Sequence, residues 1–288
     1  MSSRNLWICA LLTGCACLGG SCSEMSIPPS FRKFEICYGT DDLTTLDIFV
    51  ANHTSSPITP VVLFIHGGGW CSGDKTEWTD RHADLFVQQG FLCVCINYRL
   101  SSINDPQKII THPTHVRDIA KAIAWIQNNI SSYGGNPRKM ILIGHSAGAH
   151  LAALVTINQK YLQDESVDIK NIKQVFLLDA GSYLNSAQNI PAYMFPYFMA
   201  ATDQANPLLL SDFIPLNYIT EYREFPHFIS ITSSDEYRVK SNILFAERLN
   251  SQGIDATVHT VNIGDHYAVF TAFPYYTDLN CIDLMDLH

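Results

Sequence analysis

The sequence has no lysine- or arginine-rich run, no C-x-x-C pair, no internal repeat and no low-complexity tract. Each absence removes a class of function. Without a basic stretch nothing is present to neutralise a phosphate backbone, and a formal charge of −9 makes nucleic acid an unfavourable partner. Without clustered cysteines there is no cysteine-built metal site, and His112 and His115 lack both helical metal spacing and a third ligand. No metal and no cofactor are therefore expected. Charge is also scarce, at 16% of residues against 47% hydrophobic, which places the body of the chain among globular proteins and not among disordered ones. A length of 288 residues is ample for one large core and short for two.

The first residues stand apart from that body. Arg4 precedes a short apolar stretch, Leu6 to Leu12, and then small residues and cysteines through Cys22. This is the layout of a cleaved secretory leader over residues 1–23, the stretch being shorter than the roughly 20 residues of a membrane span. Export is the expectation: periplasmic or membrane-anchored in a bacterium, otherwise secreted. Leu12-Thr13-Gly14-Cys15 resembles a lipobox, which would attach the protein to a membrane through a lipidated Cys15; cleavage near Ser21 to Ser23 is the competing expectation. Residues 24–288 then form a single domain. Its five cysteines, Cys37, Cys71, Cys93, Cys95 and Cys281, are odd in number, so at least one stays unpaired.

Through that domain apolar runs alternate with helical periodicity. Phe31 to Tyr38 and Thr45 to Val50 read as an antiparallel edge hairpin, and Val61 to Ile65, Phe91 to Ile96, Met140 to Ile143, Val175 to Leu178, Phe228 to Ile231 and Val258 to Val261 as further strands. Asp80 to Gln89, His115 to Asn129 and Ser241 to Gln252 have helical spacing between them. Strand–helix alternation of this kind specifies an α/β fold: a mostly parallel sheet of about eight strands with helices on both faces. The alternation lapses at about 182–226, where nine aromatics, Tyr183 to Phe225, sit among prolines in a small cap insertion or pocket wall.

The chemistry-bearing stretch is Lys139 to Ile157, KMILIGHSAGAHLAALVTI. An apolar strand runs into G-x-S-x-G and then into a helix of small and apolar residues. In such an elbow the serine occupies a strained strand-to-helix turn, with glycines where the backbone must pass close to its neighbours. Ser146 is thus the candidate nucleophile, and the N–H of Ala147 at the helix start a candidate oxyanion donor. A serine needs a base. His266, in Gly264-Asp265-His266 after the last strand, is the histidine placed beyond the carboxyl end of a strand. The acid that orients it is expected after the preceding strand, at Asp235, with Glu236 as the alternative. Gly68 and Gly69, in His66-Gly67-Gly68-Gly69-Trp70, complete the expected oxyanion hole, with His66 and Trp70 bracing the loop.

Taken together and in this order, HGGGW (His66 to Trp70), NYRL (Asn97 to Leu100), YGGNP (Tyr133 to Pro137), GHSAGAH (Gly144 to His150) and GDH (Gly264 to His266) resemble the α/β-hydrolase superfamily. The nearest branch is that of small esterases with kynurenine formamidase and feruloyl-esterase-like members, and the likeness runs from about Phe31 to Phe270. It implies a Ser146, Asp235, His266 triad and cofactor-free hydrolysis of a small-molecule ester or formamide. The sequence departs from the branch at two places: SSDEYRV is one residue longer before its valine than D-x-x-V, and glycine stands at 69 where formamidases often carry tyrosine, which leans towards a general esterase. The expected activity is a serine carboxylesterase, with an arylformamidase as the alternative and a non-catalytic binding module as the alternative of another class.

Overall fold

The computed structural model describes residues 31–52, 58–78, 80–105, 110–181, 183, 192–202, 211–219, 224–277 and 279–285. The leader, Cys15 and parts of the aromatic-rich insertion lie outside them. Eight strands form one sheet in the order β1-β2-β4-β3-β5-β6-β7-β8. In chain order these are Phe31–Cys37, Thr45–Ala51, Thr59–Ile65, Leu92–Ile96, Gly135–His145, Ile172–Leu178, His227–Thr232 and Ala256–Thr260. β1 and β2 are antiparallel, as are β2 and β4, while β3 to β8 pair in parallel. The expected hairpin at the edge and parallel sheet beyond it are both present.

Burial explains this order. β4 is buried at every position, and Met140 to His145 of β5 and Val175 to Leu178 of β6 are buried throughout, as strands covered on both faces must be. β1 exposes alternate side chains and occupies an edge. Within β3 the faces alternate: Val61, Leu63 and Ile65 join a core under the helices α2 (Thr114–Asn129), α3 (Ala147–Ile157) and α6 (Glu236–Asn250). Val62 and Phe64 join the opposite core, against α1 (Asp80–Gln88) and α7 (His266–Thr271). Between them in sequence fall the short helices α4 (Lys160–Asp164) and α5 (Phe195–Ala201), the latter in the insertion.

Two elements start five residues earlier than sequence periodicity predicts. β5 begins at Gly135, where a single pairing with Thr59 precedes a register shift to Val61 and Met140, so Gly135-Asn136-Pro137 is an irregular extension of the strand, and Gly134, at φ 87°, is the turn before it. α6 begins at Glu236 instead of Ser241, because Asp235 caps it. All five described body cysteines are free thiols. Cys93 and Cys95 are buried in the sheet as small apolar residues, and burial pushes both thiols up.

Candidate active site

The parallel strands end at one edge of the sheet, and the segments that leave β3, β5 and β8 there meet around a cavity of about 340 Å³. Its lining includes Gly68, Gly69, His145, Ser146, Ala147, Arg238 and His266, with Tyr193, Met194 and Tyr197 from the insertion. The structure thus brings together the expected serine, histidine and all three expected oxyanion-hole residues.

Ser146 is held at φ 53°, ψ −115°, a conformation most side chains avoid. The flanking glycines make the turn feasible. A Cβ on Gly144 would lie 2.3 Å from the Gly148 carbonyl oxygen, and one on Gly148 would lie 2.1 Å from the Ile65 carbonyl oxygen. Only bare backbone fits at either place, and the close approach draws β3 and its glycine loop up to the elbow. The Ser146 N–H donates to Leu178 O at 2.8 Å, tying the turn to β6. Ala147 opens α3, so its N–H has no partner within the helix and is available at the positive end of the dipole.

The loop after β3 is built from the other motifs. Gly68, Gly69 and Trp70 all have positive φ. Tyr98 donates to the His66 and Gly67 carbonyls at 3.2 and 3.1 Å, and its ring stacks on His66 at 4.3 Å. Burial lowers His66 to a pKa of about 4, so it is a neutral brace at pH 7, as is expected of it. The rest of the NYRL motif is equally structural. Asn97 accepts from Lys75 N and donates to Asp74 Oδ2, while Arg99 makes a two-pronged contact with the buried Asp118 at 2.8 and 2.6 Å.

The structure does not show the expected pairing of His266 with Asp235. His266 Nδ1 lies 2.7 Å from Asp179 Oδ2, so the histidine pairs with a carboxylate at the end of β6 and not with Asp235 after β7. Asp235 is exposed, and its side chain accepts from the Arg238 N–H at 2.9 Å as the N-cap of α6; Glu236 is the exposed first residue of that helix. The helix has claimed the residue that the strand count assigned to catalysis. Asp179 is wholly buried. Burial alone would raise its pKa, but the hydrogen bond from His266, the Arg238 charge and the Ser233 N–H outweigh that and hold the carboxyl below its usual range. Asp179 was visible in the sequence as the first polar residue after Val175 to Leu178, and it too satisfies the serine, acid, histidine order. The expectation set the acid after β7, the strand preceding the last, whereas the carboxylate that pairs with His266 follows β6.

His145 has a part that periodicity gives no hint of. Its ring stacks on that of His266 at 4.6 Å, and its Nε2 donates to the His266 carbonyl at 3.1 Å. Burial, together with the adjacent His266, lowers it to about 3, so it braces the loop as a neutral ring. His150 is likewise buried on α3, with Nε2 2.8 Å from the Phe213 carbonyl oxygen, and serves packing.

The comparisons agree with this architecture. The model of the BD-FAE family matches residues 46–242, which hold the elbow, Asp179 and Arg238 and stop short of His266. Esterase LipQ of Mycobacterium tuberculosis is 32% identical over 189 residues, covering 63% of this chain and 43% of that protein. The isoprenylcysteine alpha-carbonyl methylesterase ICME of Arabidopsis thaliana is 34% identical over 150 residues, covering 51% of this chain and 33% of its own length. The chain therefore spans less than half of either relative. Among solved structures, esterase B from Lactobacillus rhamnosis superposes with a TM-score of 0.69 at 19% identity, over 81% of this chain and 75% of that one. A thermostable esterase from Pseudomonas putida gives 0.64 at 18% identity, over 81% and 73%. With the fold that these structures share and a family match over more than half its length, the chain belongs to the BD-FAE family of α/β-hydrolase-fold proteins.

Proposed function

We propose that the protein is a serine carboxylesterase that works through an acyl-enzyme on Ser146. The observation that carries this reading is that one cavity is lined by both a serine at a strained elbow and a histidine whose Nδ1 is held by a buried carboxylate. With Nδ1–H committed to Asp179, the lone pair of His266 is on Nε2, the tautomer a general base requires. Ser146 Oγ adds to the ester carbonyl as His266 Nε2 takes its proton. The oxyanion is received by backbone N–H groups of Ala147 and the Gly68–Gly69 loop. Collapse expels the alcohol, which leaves with the proton from His266; water then enters by the same base and releases the acid. Asp179 stays ionised throughout and balances the imidazolium.

LipQ and ICME are named for ester hydrolysis, which favours an ester over a formamide. The test is to assay protein lacking residues 1–23 against a short p-nitrophenyl ester and N-formylkynurenine in parallel, with Ser146→Ala as control. Ester turnover that falls by about 10⁶-fold in the variant, with little formamide turnover, is the expected result. Preferential formamide turnover would make it an arylformamidase, and no serine-dependent turnover would leave a binding module. Export is proposed on the leader alone; the N-terminal mass of the mature protein distinguishes a lipidated Cys15 from cleavage after the small residues.

A further inference from the structure

The carbonyl groups of three consecutive residues leaving β6 are all gripped by side chains of one helix. Arg238 Nη1 donates to Asp179 O, Asn242 Nδ2 to Ala180 O at 2.7 Å, and Tyr237 Oη to Gly181 O. Tyr237, Arg238 and Asn242 lie on the first two turns of α6, with Arg238 and Asn242 one helical turn apart on the same face. The fit is close: a Cβ on Gly181 would come within 2.9 Å of the Tyr237 ring. Arg238 does more than satisfy a carbonyl. Its Nε lies 3.4 Å from Asp179 Oδ2, the same oxygen that accepts from His266, and its side chain is almost wholly buried. The other carboxylate oxygen is filled by the Ser233 N–H at 2.7 Å and the Thr232 hydroxyl at 3.1 Å.

Asp179 needs such support because it sits at φ 50°, a left-handed conformation that costs a non-glycine residue and persists only where neighbours over-determine it. Released, its backbone would relax towards ordinary values, and the carboxylate would swing away from His266. On the esterase reading above, we propose that Arg238 is a positioning residue: its guanidinium holds both the main chain and the carboxylate of Asp179, so that an acid carried by β6 stands where His266 can use it. Asp235 then acts two steps away. It caps α6 through the Arg238 N–H and so fixes the turn from which the guanidinium reaches back.

The experiment compares Arg238→Met, Arg238→Lys and Tyr237→Phe in the full chain, with kcat and KM measured separately on a short p-nitrophenyl ester. A displaced carboxylate lowers kcat with little change in KM, by about 10²-fold for Arg238→Met, as expected of a misplacement near 1 Å. Arg238→Lys retains the charge and one of the two contacts and recovers about tenfold of that loss. Tyr237→Phe, which frees only the Gly181 carbonyl, stays within about threefold of wild type. The NMR resonance of the His266 Nδ1 proton supplies a readout that mere destabilisation does not move: it shifts or broadens in Arg238→Met and returns in Arg238→Lys. Should Arg238→Met not fold, the kcat of the lysine variant decides the matter: a folded Arg238→Lys about tenfold below wild type in kcat with little change in KM is expected, and a kcat within threefold of wild type overturns the proposal. A folded Arg238→Met with kcat within threefold of wild type would overturn it. Failure of the esterase reading looks different, since Ser146→Ala would then keep wild-type turnover whatever Arg238 does.

Discussion

The two halves of the site are built in opposite ways. The nucleophile half is local: strand, turn and helix are contiguous from Gly135 to Ile157, and the glycines that permit the turn are four residues apart. The acid half is assembled from Asp179, Thr232 and Ser233, Arg238 and His266, which come from four segments spread over almost ninety residues. Their electrostatics differ as well. Around the elbow, buried His112, His115, His145 and His150 are each driven down to about 3 by burial first and by neighbouring cations or histidines second, so that side is kept neutral. Around Asp179 a carboxylate stays charged because the Arg238 guanidinium and the histidine share it. A contiguous device leaves a motif in the sequence, whereas a distributed one leaves only single residues whose meaning depends on the fold.

The sharpest way to break this contrast is to interchange the claims of the two aspartates. Asp179→Asn keeps the shape but offers His266 an amide, which cannot balance an imidazolium and can favour the wrong tautomer. A fall in kcat of about 10⁴-fold is expected. Asp235→Asn should leave kcat within about twofold, because asparagine caps a helix about as well as aspartate. Asp235→Ala should cost about 1 kcal/mol of stability through the lost cap. Steady-state kinetics with a urea titration of each variant checks all three. If Asp235→Asn proved the inactive one, the pairing of His266 with β6 would not be the working arrangement.

How much was legible follows from the same contrast. The sheet, the edge hairpin and the strand–turn–helix around Ser146 match the structure because each rests on a short pattern: alternation, a continuous apolar run, or glycines around a serine; His266 lines the same cavity as Ser146. The Asp179 pairing was not legible, since nothing near Leu178 distinguishes that aspartate from any polar residue ending a strand. Asp235 misled for a physical reason. The same side chain serves as a helix N-cap or a catalytic acid, and the helix it caps starts at Glu236, five residues before the helical spacing that begins at Ser241. The extra residue in SSDEYRV before Val239 marks the loop as departing from the family pattern. Its consequence for the acid emerges only when β6 and β7 are seen side by side.

The neutral side of the comparison predicts a pH dependence of stability. The buried histidines are depressed in the folded state, His66 to about 4 and the others to about 3, against about 6.5 when unfolded. The unfolded chain therefore binds more protons below pH 6.5. Their contribution is fully present above 6.5 and is withdrawn as pH falls towards the folded values, by about 1.4 kcal/mol per pH unit for each histidine. Two of them acting in full remove about 4 kcal/mol by pH 5. Urea midpoints at pH 7.5, 6 and 5 should fall steeply over this window, before Asp179 begins to take up a proton. A flat profile would mean that the elbow side tolerates charge. Replacing His150 by Phe should flatten the profile partially, with the loss of its bond to the Phe213 carbonyl as the accompanying cost.

The smallest expected effect lies where the insertion touches the nucleophile half. Gly69 has φ 59°, and a Cβ there would come within 2.8 Å of the Tyr197 ring, so the absence of a side chain at 69 is what lets α5 rest on the oxyanion loop. Gly69→Ala must both strain the backbone, at about 1 kcal/mol for a left-handed residue, and push that ring outward. Because Tyr197 is partly exposed, it can move, and the loop is braced independently by Tyr98 and His66. The expected outcome is therefore a rise in KM of a few fold with a smaller change in kcat. Tyr197→Ala combined with Gly69→Ala should recover the part due to the clash and leave the part due to strain. If the double variant is no better than Gly69→Ala, the contact with α5 contributes nothing to the loop, and the insertion shapes the pocket without supporting the oxyanion hole.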